Sequence, residues 1–117
     1  MSEALHDVGP EADFPEDGKL VAAIGGWQVL VCKVDGEYYA VNDRCSHAAS
    51  PLSGGRIRRG MVMCPLHGAR FDVATGNCLG ASYPKLRQFA VGVSGGRIVV
   101  AVPETPPGMD DIAVRIG

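Results

Sequence analysis

No apolar run in this 117-residue chain approaches the ~20 residues that a membrane-crossing helix requires. The N-terminus, Met1-Ser2-Glu3-Ala4-Leu5, is acidic and has no basic stretch leading into an apolar one, so it does not read as a secretion signal. The expected location is the cytoplasm. Histidine is scarce, with three in the chain. Lys and Arg are absent from residues 1–17, which hold six acids (Glu3, Asp7, Glu11, Asp13, Glu16 and Asp17). Acids are absent from Arg44 to Phe71, where five arginines stand (Arg44, Arg56, Arg58, Arg59 and Arg70). A net charge of −2 therefore hides a basic middle, with ten bases against four acids between 18 and 102. Net acidity and the lack of a recognition motif argue against nucleic-acid binding. The basic stretch reads either as a solvated loop or as a face that steers an acidic partner, with Arg56, Arg58 and Arg59 as the docking candidates.

A helical period is also missing. Lys19 to Ile24 reads as a strand, and Gly25-Gly26 turns it into Trp27 to Val34, rich in β-branched residues. Asp35-Gly36 is a two-residue hairpin signal, and Glu37 to Asn42 is the return strand. Met61-Val62-Met63 and Ala69 to Val73 read as short strands. Gln88 to Val93, Ser94-Gly95-Gly96 and Arg97 to Val102 read as a closing hairpin. Short strands between Gly-rich turns predict a single all-β domain. Residues 1–17 read as an acidic leader in which Pro10 and Pro15 discourage a long helix, and the Pro-rich tail 103–117 as a segment of little order.

Chemistry concentrates in two loops. The strand ending at Asn42 delivers the chain to Cys45-Ser46-His47, and the next short strand leads into Cys64-Pro65-Leu66-His67-Gly68. In C-x-H the two side chains leave an extended backbone on the same side. In the second loop Pro65 presets a turn and Gly68 permits angles barred to other residues. Thiolates suit iron–sulfur clusters and zinc, and imidazole suits iron and zinc, so both metals fit the donor types. The alternating Cys-His, Cys-His order departs from the usual zinc-finger order, in which the two cysteines precede the two histidines. Cys32 and Cys78 read as thiols with packing roles, because a reducing compartment disfavours a disulfide. His6 reads as a solvated terminal residue, and Trp27, Tyr38 and Tyr39 as packing.

With these loops in place, the chain resembles the small stand-alone Rieske-type ferredoxins of bacterial aromatic-ring oxygenase systems, over roughly Gly18 to Pro103. Phe71-Asp72, Gly76 and the Ser82-Tyr83-Pro84 loop add to the likeness. The resemblance implies three stacked antiparallel sheets, a core at about 18–103 and a small cluster-binding subdomain at about 43–84. It implies one Rieske [2Fe–2S] cluster, with Cys45 and Cys64 on the inner iron and His47 and His67 on the outer one. Pro65, Tyr83 and Pro84 would belong to the loops that shield it. No catalytic residue is implied. The protein would be a soluble one-electron carrier between an NAD(P)H-dependent flavin reductase and a terminal oxygenase. The alternatives are the small Rieske subunit of an assimilatory nitrite reductase and a zinc-binding interaction module. Compared with the respiratory Rieske branch, Ser50 and Leu66 replace the two extra cysteines, and Ala69 and Phe71 replace two hydroxyl donors. Without those donors the expected potential is about −150 mV, the low end of the Rieske range.

Overall fold

In the computed structural model, the described residues are 3–45, 51–65, 68–80 and 85–108. They form eleven strands: β1 (Glu3–Pro10), β2 (Lys19–Ile24), β3 (Trp27–Val34), β4 (Glu37–Asn42), β5 (Ile57–Arg58), β6 (Met61–Met63), β7 (Arg70–Asp72), β8 (Cys78–Leu79), β9 (Gln88–Phe89), β10 (Val91–Ser94) and β11 (Arg97–Pro103). A single 3-10 turn, Glu11–Asp13, follows β1. All pairings are antiparallel, in three sheets ordered β1-β11-β10, β2-β3-β4-β9 and β5-β6-β7-β8. The all-β class and the three antiparallel sheets agree with expectation.

The second sheet is the middle layer. Val29 and Val31 of β3 join a core with Ile98, Val100 and Val102 of β11. Leu30 and Cys32 of the same strand join a second core with Val62 of β6 and Phe71 of β7. Burial on both faces explains why Val29-Leu30-Val31-Cys32 is an unbroken apolar run rather than an alternation. Hairpin chemistry fixes the register. Val34 pairs with Glu37 across Asp35 and Gly36, whose φ angles of 51° and 83° are those of a primed turn.

Several expectations are corrected. Residues 3–10 are not a leader: they form β1, paired with β11 from Glu3↔Pro103 to Pro10↔Arg97. The strand alternates in burial, with Ala4, His6 and Val8 partly buried between exposed Glu3, Leu5 and Asp7. His6 is thus half-buried rather than solvated. Without β1, one edge of β11 would have no partner, and pairing satisfies that row of backbone groups. Beyond β1, Phe14 packs edge-to-face on Tyr38 at 5.3 Å. The start of the tail is also placed: Trp27 Nε1 donates to the Thr105 carbonyl at 3.0 Å. Residues 109–117 lie outside the described residues. The run expected at 88–93 divides at Ala90, with β9 in the middle sheet and β10 in the first. β5 and β8, two residues each, were not expected from the sequence.

Candidate metal-cluster site

The third sheet, residues 57–79, lies in the chain between β4 and β9 of the middle sheet, so both candidate ligand loops leave ordered strands. Cys45 follows β4 and is fully buried; Cys64 follows β6 directly and is 1 % exposed. Both belong to the second core, with Leu52, Val62 and Phe71. The second loop is tightly closed. The Cys64 N–H donates to the Ala69 carbonyl at 2.7 Å, and the Gly68 N–H donates to the Cys64 carbonyl at 2.9 Å. Gly68 has φ of 73°, the left-handed conformation that the sequence led us to expect. Pro65 is exposed. His47 and His67 lie outside the described residues, as do Tyr83 and Pro84 of the third loop.

The two loops approach each other closely at Gly55. A Cβ on Gly55 would stand 1.7 Å from the Met63 carbonyl oxygen, so the return of the first loop presses backbone to backbone on the strand that feeds the second. A Cβ on Gly54 would meet Pro65 Cγ at 3.7 Å. The first loop is tied by residues that the sequence reading overlooked. Asp43 Oδ1 accepts the N–H groups of Leu52 and Ser53, both at 2.7 Å. Lys19 Nζ donates to the carbonyls of Ser53 at 2.7 Å and Gly55 at 2.6 Å. The signal for Asp43 was its place directly after β4 and two residues before Cys45. For Lys19 there was none, because its partners lie more than thirty residues away.

The donor chemistry fits an iron–sulfur cluster. Thiols from two adjoining loops are held in a dry core, and neither is in a disulfide. Ala69 and Phe71 offer no hydroxyl, and Phe71 is fully buried in the same core. Cys32 also lies in that core, where burial pushes its thiol up to about 12; the Asp43 carboxylate adds to the rise and the Lys19 ammonium opposes it. Cys78 is half-buried and not in a disulfide, so Cys32 and Cys78 are not bridged.

The three docking candidates converge. Arg56, Arg58 and Arg59 line a groove of about 650 Å³ with Arg70, Met61 and Met63. Register explains it: Arg58 pairs with Met61 and Met63 with Arg70, while their neighbours Val62 and Phe71 point into the core. None of these four arginines has an ion pair among the described residues.

A stack of three antiparallel sheets with two buried thiols in adjoining loops defines a class, the small β proteins that hold a metal centre between two loops. The chain belongs to the Rieske [2Fe–2S] domain family, whose sequence model matches residues 4–101. It is 41 % identical over 101 residues to the ferredoxin subunit of 3-phenylpropionate/cinnamic acid dioxygenase from Escherichia coli (strain K12), covering 84 % of this chain and 93 % of that one. A ferredoxin seen in the complex of reduced oxygenase and oxidized ferredoxin of carbazole 1,9a-dioxygenase superposes with a TM-score of 0.76 at 28 % identity, covering 83 % and 92 % of the two chains. A chain described as an NADH-dependent nitrite reductase small subunit from Mycobacterium tuberculosis has a TM-score of 0.75 at 22 % identity, over 85 % and 95 %. That last likeness speaks for the fold alone. The chain is a Rieske ferredoxin carrying one [2Fe–2S] cluster, an electron-transfer component rather than a catalyst. The zinc reading falls with that membership. Among the described residues no helix is long and apolar enough to cross a membrane.

Proposed function

We propose that Cys45 and Cys64 hold the inner iron and His47 and His67 the outer iron, and that the protein shuttles single electrons from a flavin-containing NAD(P)H reductase to a terminal oxygenase in the cytoplasm. The observation that carries this reading is the burial of Cys45 and Cys64 in one core, at the exits of β4 and β6. When bound, the cluster supplies one-electron chemistry. The chain's part is to hold and tune it. The dry core around the two thiols keeps water from the sulfurs. His47 and His67, bound through one ring nitrogen each, would keep the other for protons, which couples potential to pH. Residues 43–84 form the cluster-binding subdomain in this reading, with Pro65, Tyr83 and Pro84 shielding the cluster.

The acceptor follows from the relatives, which are ferredoxins of dioxygenase systems. Docking uses the groove: four arginines around two methionines suit an acidic partner face with an apolar centre. Met63 adjoins Cys64, so a partner seated there lies beside the second ligand loop.

EPR of the reduced protein, with a potentiometric titration, tests the assignment. The expected result is a rhombic Rieske signal, with a potential of about −150 mV. The signal should be lost in Cys45→Ser and Cys64→Ser. A strongly positive potential would refute the argument from Ala69 and Phe71. For docking, Arg56→Glu with Arg58→Glu should slow electron exchange about tenfold or more at low salt and less at high salt. Rates that stay unchanged, or fall without salt dependence, would refute it.

A further inference from the structure

Asp43 is the one buried charged side chain among the described residues, 1 % exposed. From the described residues its carboxylate accepts three hydrogen bonds: two at Oδ1 from Leu52 and Ser53, and one at Oδ2 from Gln28 Nε2 at 2.5 Å. Its own N–H donates to the Gln28 carbonyl at 2.9 Å. The first ligand loop is thereby closed between residue 43 and residues 52–53. Lys19 closes it from the other side. Ser53 is gripped by both charges, its N–H by Asp43 and its carbonyl by Lys19.

The clamp therefore places one anion and one cation against the loop that carries Cys45. Asp43 stands two residues before Cys45 and is itself buried, and the Lys19 ammonium binds Ser53 and Gly55, where the same loop returns to β6. A cluster held by Cys45 and Cys64 would gain negative charge on reduction, in buried surroundings where charges are weakly screened. Net charge near an iron–sulfur cluster is one of the determinants of its potential.

We propose that Asp43 and Lys19, besides holding the first ligand loop closed, set the reduction potential in opposite senses: Asp43 lowers it and Lys19 raises it. They are positioning residues and touch no reacting atom. This rests on the ligand assignment above.

The test is potentiometric titration of wild-type, Asp43→Asn and Lys19→Met holoproteins at one pH, followed by EPR. Asn keeps the Oδ1 acceptor, and the Gln28 amide can turn to face its NH2. Met keeps most of the Lys19 stem and drops the charge. At a fixed applied potential, D43N should move the reduced-to-oxidised ratio about threefold or more towards reduced, and K19M about as far towards oxidised. Shifts in the same direction would mean that both variants merely loosen the loop, and would overturn the proposal. So would the absence of a shift in either. If D43N fails to retain the cluster, Lys19→Arg decides together with K19M: the charge is kept in one and lost in the other, so K19R must stay at the wild-type potential while K19M shifts. An unshifted K19M, or a K19R shifted like K19M, overturns the proposal. A wild-type protein with no Rieske signal would instead overturn the ligand assignment, and this inference with it.

Discussion

Replacing Gly55 by Ala adds one methyl group at the place where the two ligand loops press on each other. That methyl would stand 1.7 Å from the Met63 carbonyl oxygen, 2.9 Å from its carbon and 3.3 Å from the Leu52 carbonyl oxygen. Real Cβ contacts are essentially never shorter than 3.0 Å, and every neighbour here is backbone rather than a side chain that can swing away. The first loop must move off β6 by more than ~1 Å, well beyond what a packed interior absorbs without loss. That movement strains the hydrogen bond from the Gly55 N–H to the Leu52 carbonyl at 2.8 Å, and the one from Lys19 to the Gly55 carbonyl at 2.6 Å. Each is worth about 1 kcal/mol, and overpacking adds about 1–3 kcal/mol. The sum is about 3–5 kcal/mol, or about 10 °C or more in Tm for a domain of this size. Gly54→Ala is the control. Its methyl meets Pro65 Cγ at an ordinary 3.7 Å, and neither glycine has a positive φ, so the two variants differ by sterics alone. Thermal melts by circular dichroism, with iron content per chain, read both. G55A should melt far below wild type and load less iron, while G54A stays within about 1 kcal/mol. A G55A protein as stable and as well loaded as G54A would refute the packing of the two loops.

Cys32 should resist alkylation in the folded protein at pH 8, while half-buried Cys78 reacts. Its pKa is raised in the fold, to about 12 from an ordinary 9.0, so folding favours the protonated thiol. The associated stability is complete below pH 9 and is lost as pH rises towards 12. Urea melts at pH 8 and pH 10.5 check the sign, and greater stability at the higher pH in wild type than in Cys32→Ala would contradict it. Trp27→Phe removes the N–H that the Thr105 carbonyl accepts while keeping a ring against Phe89. It should cost about 1 kcal/mol and speed proteolytic trimming beyond Pro103. A tail trimmed no faster than in wild type would show that this bond does not hold it.

Much of the fold was legible because hairpins are local. Asp35-Gly36 and Gly25-Gly26 carry their turn chemistry in two adjacent residues, and the strands on either side follow. The two motifs with Cys45 and Cys64, the cysteines that the structure buries in one core, stood out for the same reason, since each is contained within five residues. β1 did not. It lies in a segment, residues 1–17, whose six acids dominate its composition, and its period-2 pattern becomes a strand only because β11, about ninety residues on, has an edge to pair. The split of 88–94 between two sheets was likewise hidden, since nothing in Phe89-Ala90-Val91 says that the chain changes layer there.

The hairpins and the all-β class can be read from sequence alone, because each depends on residues a few positions apart and on backbone preferences that act locally. The three arginines proposed for docking were also named from sequence, but the groove they form with Arg70, Met61 and Met63 exists only because β5, β6 and β7 pair in one register. Long-range packing alone buries the middle sheet on both faces and leaves no room for a side chain at Gly55. The same holds for the clamp of Asp43 and Lys19 on the loop of Cys45. These features rest on contacts between segments that only the packed sheets bring together. A carboxylate or an ammonium carries no mark in the sequence of which distant backbone groups it will bind.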